Sequence, residues 1–250
     1  MNKGYCLALS IGLSVAALPV SAGVPGVGEL SFVAINASED GFALASFVDL
    51  SVGTQLFVTD KSWNGLTVGA GGGFDTGEGV LSWTLSSAVS AGSVVRFSAV
   101  DSGANVAVSH GTVSRSGSFS LAQTNESLML YRDDGFGGVL PLAALGYGAS
   151  FASEIAGSGL EAKAVALSGT VKFAEYTGDR SSAGGFGAYA ESVGDPSQWT
   201  KLSSGDVALV TPNLTAFSVM APVPEPETYA MLLAGLGVVS SVARRRKRMG

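Results

Sequence analysis

The chain has 250 residues, a formal net charge of −6, only 14% charged residues, 35 glycines and one cysteine. This balance excludes a basic nucleic-acid binder, whose affinity comes from neutralising phosphates, and it excludes a disulfide-stapled scaffold. The charge is unevenly placed: residues 23–221 hold eight Lys or Arg against eighteen Asp or Glu, a net −10, whereas five cations crowd into 244–248.

At the N-terminus, Lys3 precedes an apolar stretch over residues 5–18, and Val20-Ser21-Ala22 supplies small residues where a signal peptidase reads. The pattern predicts a signal peptide over 1–22, cleaved after Ala22. Cys6 leaves with it, so the exported chain carries no thiol and depends on core burial for its stability. No cysteine follows the apolar run, which argues against a lipoprotein.

Residues 23–221 read as one exported domain built of strands. Residues 29–35 alternate Leu30, Phe32 and Ala34 with Ser31 and Val33, and 42–50, 55–59, 80–85 and 93–100 repeat short runs rich in Val, Phe, Trp and Thr. Turn signals separate them: Glu39-Asp40-Gly41, Ser51-Val52-Gly53-Thr54, Asn64-Gly65, Gly69 to Gly73 and Ala91-Gly92. Residues 119–121 and 128–131 continue the series up to the turn Asp133-Asp134-Gly135. No amphipathic helix of crossover length separates the runs, which disfavours a parallel βαβ architecture and predicts an all-β sandwich. Phe32, Phe47, Phe57, Trp83, Val95 and Leu128 are its expected core.

Beyond Pro141 the pattern weakens. Residues 149–166 suit a short helix or a loop, and 207–210 and 214–219 read as closing strands. Asp195-Pro196-Ser197-Gln198-Trp199 places an N-cap before a proline at the first helical position, so a single turn is expected to present Trp199.

Gly28-Glu29-Leu30-Ser31-Phe32, Asp40-Gly41-Phe42, Phe47-Val48-Asp49-Leu50, Val58-Thr59-Asp60 with Trp63, Trp83-Thr84 and Ala91-Gly92-Ser93 follow a recurrent order. The series resembles a domain of exported bacterial proteins and, more loosely, the lamin-tail-like, immunoglobulin-type β-sandwich. That resemblance implies a fold and transfers no catalytic residues.

Site chemistry is sparse. A serine triad needs a histidine, and the single one, His110, lies in a turn-like stretch with no Gly-x-Ser-x-Gly elbow anywhere. Gly69 to Gly73 lacks the Lys-Ser/Thr of a phosphate loop and reads as a flexible hairpin tip. No enzymatic activity is predicted, and a secreted hydrolase is the remotest alternative. Calcium is the one candidate cofactor. Its candidate ligands are Glu39 and Asp40 with Asn36, and Asp75 and Glu78 with Asp60, although neither group has EF-hand spacing. Trp63, in a loop, is the candidate exposed stacking surface for a carbohydrate, while Trp83 alternates with Leu81 and Leu85 as core.

The tail, 222–250, is tripartite. Pro224-Glu225-Pro226 forms an extended hinge. Residues 228–243 carry no charge and would rise about 24 Å as a helix, a little short of the roughly 30 Å hydrocarbon core, so this predicts a single transmembrane helix with snorkelling flanks. Arg244, Arg245, Arg246, Lys247 and Arg248 then stop transfer on the cytoplasmic side. This layout resembles the PEP-CTERM sorting signal of Gram-negative bacteria, which is processed by an exosortase. The resemblance implies an inner-membrane intermediate, then delivery to the cell surface or extracellular matrix. Exosortase and signal peptidase are its implied partners, with exopolysaccharide a further one. The sequence therefore predicts a structural or adhesive surface module, with a calcium-dependent or carbohydrate-binding module as the alternative.

Overall fold

The computed structural model describes residues 23–182, 184–220 and 226–248. The predicted leader with Ala22 lies outside the described residues, as do Pro224 and Glu225 of the tail. In chain order the strands begin β1 (Leu30–Asn36), β2 (Gly41–Ser46), β3 (Gln55–Thr59), β4 (Val80–Thr84), β5 (Val94–Ser98), β6 (Ala107–Val108) and β7 (Thr112–Ser116). After these come β8 (Glu126–Asp133), β9 (Val139–Tyr147), helix α1 (Phe151–Glu154), β10 (Val165–Leu167), β11 (Phe173–Tyr176) and β12 (Ser181–Ser182). Helix α2 (Ala188–Gly194), a 3-10 turn (Pro196–Gln198), β13 (Trp199–Leu202), β14 (Ser218–Val219) and helix α3 (Pro226–Arg248) complete the order.

Two six-stranded sheets form, ordered β13-β11-β1-β2-β5-β6 and β10-β9-β8-β3-β4-β7, and β12 pairs with β14 in a small third sheet. The fold is all-β, as the alternation predicts. The two large sheets share one core, because alternate side chains of each point at the other. Trp83 of β4 meets Phe97 of β5 edge-on at 5.3 Å across the layers, and Phe97 stacks on Phe42 at 4.6 Å. The indole N–H of Trp83 donates to the His110 carbonyl at 2.7 Å, so the largest core ring leaves no polar atom unpaired. Phe32, Phe47, Trp83, Val95 and Leu128 are buried as expected.

Phe57 corrects the expected core. In β3 it is Leu56 and Val58 that face inward, while Phe57 is half-buried on the outer face, stacked on Tyr131 at 5.2 Å. A run of Leu-Phe-Val offers no polar residue to mark its inward side, so the two-residue period was ambiguous there. Residues 119–121 are likewise no strand, although Phe119 and Leu121 are buried. Residues 207–210 form a turn tied down by the Asn36 amide, which donates to the carbonyls of Val207 and Val210. Strands β9, β11 and β13 escaped the sequence reading. In addition, β9 and β10 run parallel around α1, a local exception to the antiparallel expectation.

The C-terminal segment packs into the shared core. Phe217 is buried against Tyr189 at 4.8 Å, Phe47 at 5.4 Å and Tyr176 at 5.8 Å, beneath the Arg180 guanidinium at 4.7 Å. Gly92 makes the approach possible: a Cβ there would lie 2.1 Å from the Phe217 carbonyl oxygen. The predicted turn near Trp199 also forms, with the Asp195 carboxylate accepting from the Ser197 N–H at 2.9 Å.

Truncation should separate the two aromatic positions. Trp83→Ala should cost roughly 3 to 5 kcal/mol by urea unfolding, as a large-to-small change in a closed core. Phe57→Ala should cost only about 1 kcal/mol, because its ring already touches water.

Candidate functional site

The strands define two ends of the body. At one end, where Asn36, Thr59 and Glu126 terminate their strands, the non-strand segment Phe119 to Ala122 passes between the sheets. Its three consecutive N–H groups are each accepted by a different carboxylate. Ser120 donates to Asp60 Oδ2 at 3.0 Å, Leu121 to Asp40 Oδ1 at 2.7 Å and Ala122 to Glu126 Oε2 at 2.6 Å. Asp60 Oδ1 also accepts from Gly79 at 2.8 Å, and Glu126 Oε1 from Ser127 at 3.0 Å. Tyr147 donates its hydroxyl to the Ala122 carbonyl at 2.5 Å. Asp40 holds φ at +54°, a left-handed turn conformation that Asp tolerates better than most residues.

Beside this clamp opens a polar cavity of about 430 Å³, lined by Asp60, Glu78, Glu126 and Glu154 together with Ser62, Ser118, Ser120, Asn125 and Ser127. Burial is the first cause of the raised carboxyl pKa values of Asp60, Glu78 and Glu126, and mutual repulsion adds to it for Glu78 and Glu126. Glu126, 7% exposed, is pushed up to about 8. The cavity can therefore accept hydrogen bonds from hydroxyl or amine groups, and it can take up protons.

Of the calcium candidates, Glu78 and Asp60 line this cavity, and Glu39, Asp40 and Asp75 do not. Glu39 is ion-paired with Arg96, both Asp60 oxygens accept backbone N–H groups, and Asp40 Oδ1 accepts one from Leu121. Among the described residues no group of three or more His, Cys, Asp or Glu could hold a metal ion. Glu126 and Glu154 went unnoticed in the sequence because a lone Glu beside a turn carries no pattern.

The expected exposure of Trp63 is corrected. The residue is 3% exposed, its indole donates to the Leu66 carbonyl at 2.6 Å, and its ring meets Phe74 edge-on at 5.1 Å. With Met129, Ala144, Phe151, Ile155 and Leu160 it forms a second small core on the outer face of the second sheet. The glycine run folds over it: a Cβ on Gly72 would sit 2.5 Å from Trp63 Cζ2. The run therefore tips a hairpin-like loop bridged at Trp63 and Phe74, with Gly69 and Gly71 exposed at the tip and Gly72 packed on the Trp63 ring. His110 is exposed, its ring 3.2 Å from Ser109 Oγ.

In the tail, α3 covers Pro226–Arg248 and ends in the basic run, with Arg244 and Arg245 exposed. Met231, Leu233, Leu236, Val238 and Val239 are exposed apolar side chains along it. No helix among the described residues is long and apolar enough to cross a membrane.
Residues 222–247 match the PEP-CTERM protein-sorting motif.
No curated protein and no solved structure matches the chain. The motif implies an exported protein, anchored in the membrane before processing and sorted by an exosortase.

In the exported body the raised carboxyls set the sign of pH dependence. Below the ordinary glutamate value of 4.5, Glu126 is protonated in both folded and unfolded chains. Between about 4.5 and 8 only the folded state keeps the proton, so stability is fully present below 4.5 and is lost as pH rises toward 8. Thermal melts should give a lower midpoint at pH 8 than at pH 5.5. Glu126→Gln, which cannot ionise, should flatten that slope.

Proposed function

We propose that the chain is an exosortase substrate cut at Pro224-Glu225-Pro226, whose two-layer β body, of lamin-tail-like immunoglobulin type, serves as a structural or adhesive module at the cell surface or in the extracellular matrix. The sorting motif at 222–247 carries this reading. A leader removed after Ala22 exports the body. Residues 228–243 then span the inner membrane with snorkelling flanks, and Arg244, Arg245, Arg246, Lys247 and Arg248 stay cytoplasmic. The apolar side chains exposed along α3 support that placement, because lipid would cover them. Exopolysaccharide is the proposed neighbour after release.

Replacing Pro224, Glu225 and Pro226 with alanine in the native host should leave export intact and hold the chain full length in the membrane fraction. Normal shortening and release of that variant would remove the reading.

A second reading, a carbohydrate-binding module, draws support from the cavity at the acidic end, whose carboxylates and serine hydroxyls suit sugar hydroxyls. On that reading the purified protein should bind on a glycan array, and Glu78→Gln should weaken the binding about tenfold or more, the loss of one hydrogen bond to a charged group. An array without hits would leave the structural module alone.

A further inference from the structure

The end of the body opposite the acidic cavity carries several exposed apolar side chains. The β8–β9 hairpin tip holds Phe136 at 96% exposure. The tip is fixed, because Asp133 Oδ1 accepts from the Gly135 N–H at 2.6 Å, and Asp134 Oδ1 accepts from Phe136 at 2.8 Å and from Gly138 at 2.9 Å. Val52, in the β2–β3 turn, is 66% exposed at the same end. The described chain begins there as well: Val24 is exposed, and Arg132, just before the hairpin tip, donates to the Pro25 carbonyl at 3.0 Å.

The chain also leaves from this end. Phe217 donates to Gly92, Gly92 donates to Ser46 at the end of β2, and Met220 donates to Ser182 at 2.9 Å. Met220, which is exposed, is the last described residue before α3. Five residues, 221–225, separate it from the first residue of α3. At no more than ~3.6 Å per residue they reach roughly 20 Å. The uncharged helical run is itself shorter than the hydrocarbon core, which draws the start of α3 toward the headgroups. The acidic end lies about 25 Å farther away, the length of β8.

We infer that in the anchored precursor this end of the body, with Phe136, Val52, Val24 and Met220, rests on the outer face of the bilayer that holds the chain's own helix. The proposal rests on the membrane-anchored reading of the tail. The short tether supplies a high effective concentration at the lipid surface, so a few apolar contacts suffice to orient the body. Phe136 is the deepest contact, and the flanking carboxylates of Asp133 and Asp134 keep it at headgroup depth. Leu66 and Leu209 are exposed at or toward the acidic end and face away from lipid.

The test uses the full chain in membranes, with Pro224, Glu225 and Pro226 changed to alanine to retain the anchor and Cys6→Ser to leave no other thiol. A fluorophore is attached at Val52→Cys or at Leu209→Cys, and headgroup-nitroxide phosphatidylcholine is added. Quenching is expected at position 52 and not at 209, and it should fall when Phe136→Ser is introduced or when twenty Gly-Ser residues are inserted after Ala221. Equal quenching at both positions, or none at 52 in chains that pellet with carbonate-washed membranes, would overturn the orientation and leave the anchor intact. Chains missing from that pellet would overturn the anchored reading, and the inference with it.

Discussion

Three carboxylates on three successive backbone N–H groups hold this body together. Asp40 comes from the β1–β2 turn of one sheet, while Asp60 and Glu126 come from strand ends of the other, and all three converge on the segment Phe119 to Ala122. That segment buries Phe119 and Leu121 in the shared core without belonging to either sheet. The Leu121 N–H, on a buried residue, would otherwise be orphaned at roughly 1–3 kcal/mol. The backbone N–H groups lower the pKa of each acid, but burial outweighs them, so all three titrate above the ordinary carboxyl value and Glu126 keeps its proton to about pH 8. Gly79 belongs to the same device: a Cβ there would lie 2.5 Å from the Phe119 backbone nitrogen.

The layers were legible where alternation was clean. Leu81 and Trp83 against Ser82 in β4 gave the strand and its inward face, whereas the β1 and β2 runs with their Asp-Gly turn gave the strands, and a bulge between Phe32 and Ala34 turns Ala34 to the face opposite Phe32. Three continuous apolar residues in β3 hid the face of Phe57, and the polar run Thr112–Ser116 hid β7, an edge strand half in water. β11 and β13 are four residues each, too short for a period to emerge. The Asp195 cap was readable because capping is local chemistry.

The sites divided differently. A linear address such as 222–247 is written in consecutive residues, and so it could be read directly. The acidic cavity is assembled from residues 60, 78, 126 and 154, which only the strand pairings bring together. Trp63 shows the opposite error: a loop position suggested exposure, yet the glycines that follow let the loop close on its own ring. Loop residues carry a core of their own when the loop is long enough to fold back.

The aromatic nest around Phe217 also has a mechanical meaning. Whatever pulls on the tail first loads β14, a strand of two residues paired in parallel with β12, which by itself offers little resistance. Directly behind it sits Phe217, wedged among three rings and a guanidinium. A tug from the C-terminus must extract that wedge before any bond of the two large sheets is strained. Drag on the tethered body is therefore absorbed locally, and the core beyond the wedge is shielded from the pull.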